Sequence, residues 1–286
     1  MPDAVCINGQ IVPAADAQVS VFDAGFMQGV GLFETMRAYG GRVFRLDAHL
    51  DRLIASARRL GWTVLPDAGE LRDAVQRVLL AARAPDARVR LTVTTGSLHA
   101  DADDPPRLTV VATAAPGQKY PPECYTKGVT VIASDYRVSR FDPTLGHKTT
   151  SYFSRLAILR AAHRKGAFEA LVFTDDDLMT EGAISNVFIV RNEELWTPPV
   201  DTPVLPGITR AAVIELAREL GLKVHEAGVT LEEVLSADEI FLTGSLMEIV
   251  PVVRIERQPV AQEKVGDVTR QVGLAYGRLV DEECPV

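Results

Sequence analysis

Only six lysines occur in this 286-residue chain, and one of them is set apart by its surroundings. Lys119 and Lys127 flank a proline-rich stretch, Lys165 precedes a helix-ending glycine and Lys223 follows one, and Lys264 lies in a polar C-terminal region. Lys148 instead stands in Gly146-His147-Lys148-Thr149-Thr150-Ser151-Tyr152, where a loop runs into the start of an amphipathic helix. A lysine withdrawn from water loses part of its preference for the charged form, and its neutral amine attacks carbonyl carbons. Taken alone, a lysine is far more often a solvated surface group. A second element, Thr180-Glu181-Gly182-Ala183-Ile184-Ser185-Asn186-Val187-Phe188, sets Glu181 at a turn before an apolar strand, where its carboxylate could face a cleft. The plain alternative is a hairpin carboxylate close to Asp175-Asp176-Asp177.

Two further elements suit an anion. Leu205-Pro206-Gly207-Ile208-Thr209-Arg210 opens an amphipathic helix, whose first N–H groups lack intrahelical acceptors and bind phosphate well. Every helix has such a start, so this too is weak by itself. Thr243-Gly244-Ser245-Leu246 follows an apolar strand; its hydroxyls and amides either hold a phosphate or carboxylate or simply close a tight turn.

The elements that must position these groups can be read from periodicity. Val5–Ile7 and Gln10–Val12 form short strands about an Asn8-Gly9 hairpin turn, and Met36 to Phe44 repeats the pattern about Gly40-Gly41. A helix capped by Asp47 follows, with apolar positions at Leu46, Leu50, Leu53, Ile54, Ala57 and Leu60 and a stop at Gly61. A second helix spans 70–82, before strands at 89–94 and 108–112 that are separated by an Asp/Pro-rich loop. Proline denies Ala115-Pro116-Gly117-Gln118-Lys119-Tyr120-Pro121-Pro122 its helix and ladder bonds, which predicts a linker. Beyond it come a strand at 129–133, a helix over 152–164, strands at 171–173, 183–190 and 195–197, a helix over 208–220, and a last strong strand at 239–242.

Composition narrows the class. At 47% hydrophobic and 24% charged the chain is an ordinary globular one, and a net charge of −8 without basic runs argues against nucleic acid or an anionic membrane surface as partner. No apolar stretch reaches the ~18–20 residues of a membrane span. The opening residues lack the pattern of a signal peptide. Cys6, Cys124 and Cys284 are far apart and in no metal-ligand spacing, so a cytoplasmic protein without zinc is expected.

The four elements, in this order, resemble the class IV (fold type IV) aminotransferases, a pyridoxal-5′-phosphate family of branched-chain aminotransferases, D-amino acid aminotransferases and 4-amino-4-deoxychorismate lyases. The resemblance runs from about Val5 to Val253. It begins with Asp23-Ala24-Gly25-Phe26-Met27-Gln28-Gly29-Val30-Gly31-Leu32-Phe33-Glu34 and continues through Phe44-Arg45-Leu46-Asp47-Ala48-His49-Leu50-Asp51-Arg52. It implies that Lys148 carries the cofactor and later shuttles a proton, and that Glu181 holds the pyridine nitrogen. It further implies that Tyr152 approaches the phenolic oxygen and that Arg52, Ile208, Thr209 and Ser245 grip the phosphate. Arg52 lies off the apolar stripe of its helix, as such a role requires. Phe33, Arg90, Thr243, Gly244 and Leu246 would meet the substrate.

Departures from the family bear on substrate choice. Ala24, Gln28 and Val30 replace the usual arginine, aromatic and acidic residues of the early signature. Thr95 stands before Gly96 where D-amino acid enzymes resemble one another in an arginine, whereas Arg90 matches a substrate-side arginine of branched-chain enzymes. Leu246-Met247-Glu248-Ile249-Val250-Pro251-Val252 resembles the lyase branch. The expectation is a two-domain α/β protein: a small N-terminal domain over 1–115, a linker over 116–127, and a larger barrel-like cofactor domain over 128–286, with the site in the cleft between. The expected activity is amino transfer between an apolar L-amino acid and a 2-oxo acid, in a homodimer. The lyase and D-amino acid activities are alternatives, as is a binding protein that kept the fold and lost the chemistry.

Overall fold

The computed structural model describes residues 4–99, 107–117 and 120–285, which form two compact units. One is built from 1–118, 147–152 and 280–286, the other from 119–146 and 153–279. The continuous division expected from sequence differs from these units in two segments, the Lys148 segment and the C-terminal 280–286. Positions 100–106 of the Asp/Pro-rich loop, and 118 and 119 of the expected linker, lie outside the described residues.

In the first unit, β1 (Ala4–Ile7), β2 (Gln10–Pro13), α1 (Ala24–Gln28), β3 (Gly31–Tyr39), β4 (Arg42–Val43), α2 (Leu46–Arg59), α3 (Ala68–Ala82), β5 (Ala87–Thr94) and β6 (Thr109–Pro116) follow in order. The strands make an antiparallel sheet, β2-β1-β6-β5-β3-β4, with Asn8 at φ 48° and Gly9 at φ 79° in the first hairpin turn. Leu50 and Leu53 of α2 and Val75 and Val78 of α3 close the core over Met36 and Leu91. Two end positions differ from expectation. Arg45, in the left-handed region, is the N-cap of α2, and Asp47 lies inside the first turn beside Arg72. The second helix starts at Ala68 because Asp67 caps it, accepting from Glu70 N at 2.9 Å.

Strand β3 begins at Gly31, five residues before the expected Met36, because its ladder with β5 runs from Gly31–Thr94 to Ala38–Ala87. This extension creates the edge that receives the lysine. Phe33 N donates to Lys148 O at 2.8 Å, Thr150 N donates to Gly31 O at 2.8 Å, and Leu32 bridges Thr149. Residues 147–152 therefore belong to the first unit by backbone bonding.

The second unit comprises α4 (Pro122–Thr126), β7 (Val129–Val138), α5 (Phe153–Arg164), β8 (Glu169–Thr174), β9 (Met179–Gly182), β10 (Asn186–Arg191), β11 (Glu194–Thr197), α6 (Ile208–Glu219), β12 (Val224–Glu226), α7 (Leu231–Leu235), β13 (Glu239–Gly244), β14 (Glu248–Ile255), β15 (Gln258–Pro259) and α8 (Asp267–Glu283), whose last turn from Val280 is counted with the first unit. The linker is less irregular than its prolines suggest. Pro122 occupies the first position of α4, where a missing N–H costs nothing. The nine strands form one mixed sheet, β12-β11-β10-β13-β14-β7-β8-β9, with β15 on β14. Strands β9 and β10 stand five places apart in that order yet are joined by residues 183–185 alone. Laid flat, five strand spacings span roughly 24 Å, beyond the reach of that connection, so the sheet curls. This is the barrel-like domain expected from sequence.

Three elements correct the sequence reading. The single strand expected at 183–190 is a turn followed by β10, and Glu181 lies within β9 rather than at a turn. Strand β14 follows the strand expected to be the last, with Pro251 inside its ladder opposite Phe241. The C-terminal stretch, read as polar, forms α8, which buries Val268, Val272, Ala275, Tyr276 and Val280 along one face. No helix among the described residues is long and apolar enough to cross a membrane.

Candidate active site

In the first unit, chemistry gathers about the ring of Phe33, which is 3% exposed on β3. Lys148 Nζ lies 4.9 Å from its centroid, and the Arg90 guanidinium carbon lies 3.9 Å from it. Tyr152 meets the same ring edge-on at 5.2 Å. Arg90 is otherwise exposed, and among the described residues no carboxylate pairs with it. An aromatic face holds a cation without neutralising it. The cluster therefore offers an amine and a positive charge side by side.

Next to Phe33 in sequence, Glu34 points to the opposite face of the strand. It is 1% exposed and binds Arg52 through two bonds, Nε–Oε1 at 2.8 Å and Nη2–Oε2 at 2.5 Å, while Oε2 also meets His49 Nδ1 at 2.8 Å. Burial pushes the Glu34 carboxyl up, but Arg52, then His49, and the hydrogen bonds from both outweigh it and hold the carboxyl at about 2. Burial keeps His49 below its ordinary value, against the pull of Glu34. With Glu34 ionised and His49 neutral, Nδ1 carries the ring proton and donates it to Glu34. His147, beside Lys148, is tied to the same helix through Ser56 Oγ at 2.9 Å.

In the second unit, Glu181 is 3% exposed and fully engaged. Arg155 of α5 donates to Oε1 at 2.5 Å, Leu205 N donates to Oε2 at 3.0 Å, and Asn186 Nδ2 lies 3.5 Å from Oε2. Asn186 also donates to Leu205 O at 2.9 Å, fixing the loop that leads into α6. At the end of that loop Gly207 is required by space, since a Cβ there would lie 1.9 Å from Asn186 Oδ1. Gly207 is the N-cap of α6 and supplies no side-chain cap. Across the β10–β13 ladder, Asn186 stands opposite Thr243. Gly244 ends β13, and Ser245 and Leu246 are half-buried in the turn before β14.

Two hydroxyls here lack partners. Thr209 Oγ1, in the first turn of α6, and Thr243 Oγ1 are buried and make no hydrogen bond. A buried hydroxyl without a partner is costly, and natural proteins tolerate it mainly where a ligand supplies the missing bond. Together with the uncapped N–H groups of α6, these hydroxyls fit the phosphate of a pyridoxal cofactor. Of the residues picked out by sequence, Lys148, Phe33, Arg90 and Tyr152 come together in one unit, and Glu181, Thr209 and Thr243 surround one loop-and-strand system in the other. Glu34, His49, Arg155, Glu169 and Asn186 were not picked out. A lone acid within the apolar run Gly31–Ala38 was the visible signal for Glu34.

A half-buried lysine beside an aromatic ring in one unit, and two partnerless hydroxyls near a helix start on the curled sheet of the other, are features of a pyridoxal-phosphate enzyme. The sequence profile of the family described as amino-transferase class IV matches residues 31–255, and the chain belongs to that family of pyridoxal-phosphate-dependent aminotransferases. It is 37% identical over 270 residues to a putative branched-chain-amino-acid aminotransferase of Methanocaldococcus jannaschii, covering 94% of this chain and 93% of the relative. It is 34% identical to a D-alanine aminotransferase of Bacillus licheniformis, covering 98% of each. The solved branched-chain amino acid aminotransferase of Escherichia coli superimposes with a TM-score of 0.89 at 29% identity, over 99% of this chain and 96% of that one.

Proposed function

We propose that this enzyme moves the amino group of apolar L-amino acids to a 2-oxo acid, with Lys148 as its catalytic residue. When bound, the pyridoxal ring supplies an electron sink for the bond being broken at the substrate α-carbon. Lys148 Nζ would hold the cofactor and would carry the proton taken from the substrate α-carbon to the cofactor carbon C4′. Glu181 keeps a proton on the pyridine nitrogen, and Tyr152 faces the phenolic oxygen. The N–H groups of Ile208 and Thr209, the hydroxyls of Thr209 and Ser245, and Arg52 bind the phosphate.

The observation that carries the substrate assignment is Arg90. Its charge sits on the Phe33 ring beside Lys148 and has no carboxylate of its own among the described residues, which suits the α-carboxylate of an amino acid. Phe33, Thr243, Gly244 and Leu246 would form the rest of the substrate contacts. Thr95 provides no arginine for the carboxylate arrangement expected of D-amino acid enzymes. The kinship with a D-alanine aminotransferase supports a second reading, in which the D-isomer is used. Half-reactions of the holoenzyme separate the two. L-leucine should convert bound cofactor to its amine form faster than D-alanine. A clear preference for D-alanine or D-glutamate overturns the L-assignment, and pyruvate release from aminodeoxychorismate without any half-reaction favours the lyase.

A homodimer is also part of this proposal. Phe22, Phe26 and Met27, on and just before α1, are 51%, 68% and 57% exposed, and Val19, Val21, Val30 and Leu98 are exposed as well. So many large apolar groups on one short stretch suit burial against a second copy. The free cysteines fit a reducing, cytoplasmic setting.

A further inference from the structure

One buried acid in the second unit has no part in the chemistry above. Glu169, the first residue of β8, is completely buried, and its partners all lie in the turn that follows Glu181. Its Oε1 accepts from Ile184 N at 2.6 Å, and its Oε2 is met by Ser185 Oγ at 3.0 Å. Gly182, the residue next to Glu181, is packed so closely on this carboxyl that a Cβ would lie 2.5 Å from Oε1 and 2.4 Å from Ser185 Oγ. Arg155 braces the start of the same turn, donating to Glu181 Oε1 at 2.5 Å and to Gly182 O at 3.3 Å. We propose that Glu169 is a positioning residue: it fixes the 182–185 turn, and through it the aim of Glu181 and Asn186 on either side. The inference rests on the assignment of Glu181 to the ring nitrogen.

The surroundings of Glu169 also make its charge responsive to pH. The charged groups acting on it are Glu181, from β9, and Arg155, from α5, whereas its neighbour across the ladder on β7 is Val131. Burial pushes the carboxyl up and Glu181 adds to this; the bonds from Ile184 and Ser185 and the charge of Arg155 oppose them, leaving it at about 7. The serine hydroxyl can donate to the ionised acid or accept from the protonated one, so the turn keeps its bond in both states. Because the folded value lies above the ordinary 4.5, the stability that Glu169 contributes is full below pH 4.5 and is lost as pH rises through 7.

The test uses E169Q, E169A, E181Q and the E169A/E181Q pair in the holoenzyme, together with melting curves of the apoprotein. Gln retains the shape and the uncharged state, so E169Q should keep kcat near wild type at pH 6 and lose the inflection near pH 7. In the apoprotein, the fall in Tm between pH 4.5 and 7 should be smaller in E169Q than in wild type. E169A should lower kcat about tenfold or more with little change in KM, and that loss should vanish in the E181Q background. If E169A does not fold, the E169Q profiles decide alone, and wild-type inflections in both would overturn the proposal. A large loss in E181Q with none in E169A overturns it while leaving the Glu181 assignment intact, as does an equal loss from E169A in both backgrounds. Wild-type turnover in E181Q removes the Glu181 assignment itself, and the positioning role with it.

Discussion

Arg52 and Glu34 meet edge to edge, with Nε on Oε1 at 2.8 Å and Nη2 on Oε2 at 2.5 Å, and both side chains are almost completely buried. A buried pair of this geometry fixes the guanidinium in one orientation, which a solvated arginine lacks. It also ties the strand of Phe33 to the helix of Arg52.

The pair predicts a specific acid sensitivity. Glu34 is held at about 2 against an ordinary 4.5, so its contribution to stability is present above pH 4.5 and is lost as pH falls toward 2. A shift of that size corresponds to about 3 kcal/mol. E34Q should lower Tm at pH 7, because it leaves Arg52 buried without its counter-charge, and should flatten the loss of stability between pH 4.5 and 2. Equal acid sensitivity in wild type and E34Q, measured by urea unfolding across that range, would place the titrating group elsewhere.

Lys148 should be the one lysine bonded to the cofactor. Borohydride reduction and peptide mapping should find the pyridoxyl group there, and a label on Lys165 or Lys223 would contradict the site. K148A should retain the fold, since the bond from Phe33 N to Lys148 O is made by backbone and survives the loss of the side chain.

E181Q keeps the size of the side chain and removes the charge. It should slow amino transfer by roughly two orders of magnitude or more while most cofactor is retained, as expected when a transition-state interaction is lost and the phosphate contacts remain. Near-normal kcat would show that another residue faces the nitrogen.

Thr209 offers a test in which stability and function move in opposite directions. Its buried hydroxyl has no protein partner among the described residues, so T209V should leave the unfolding free energy of the apoprotein unchanged or raised by up to about 1 kcal/mol. The same change should weaken the cofactor dissociation constant roughly tenfold by removing a phosphate donor. A fall in apoprotein stability with unchanged cofactor binding would mean that the hydroxyl serves the fold instead.

Much of this protein was legible in its sequence, for physical reasons that act locally. Asn8-Gly9 can form the hairpin because both residues accept positive φ. The 3.6-residue period of α2 placed Leu50 and Leu53 in the core and left Arg52 beside that stripe. Lys148 stood out because its loop runs into a helix, and Gly207-Ile208-Thr209 because a helix must begin with unpaired N–H groups.

What the sequence by itself determined was therefore the elements, the family signature and the residue types available for chemistry. Tertiary structure decided which of them meet. Strand β14 and helix α8 needed partners far along the chain to justify Pro251 in a ladder and an apolar stripe in a polar stretch. Glu181 looked like a turn residue because the three-residue connection after it has no local signature; the curl of the sheet places it in a strand and seals it. Glu34 and Arg52 lie 18 positions apart, Glu169 and Ser185 16. Hydrogen bonds and charges act through space, and only the folded chain brings such pairs within reach of one another.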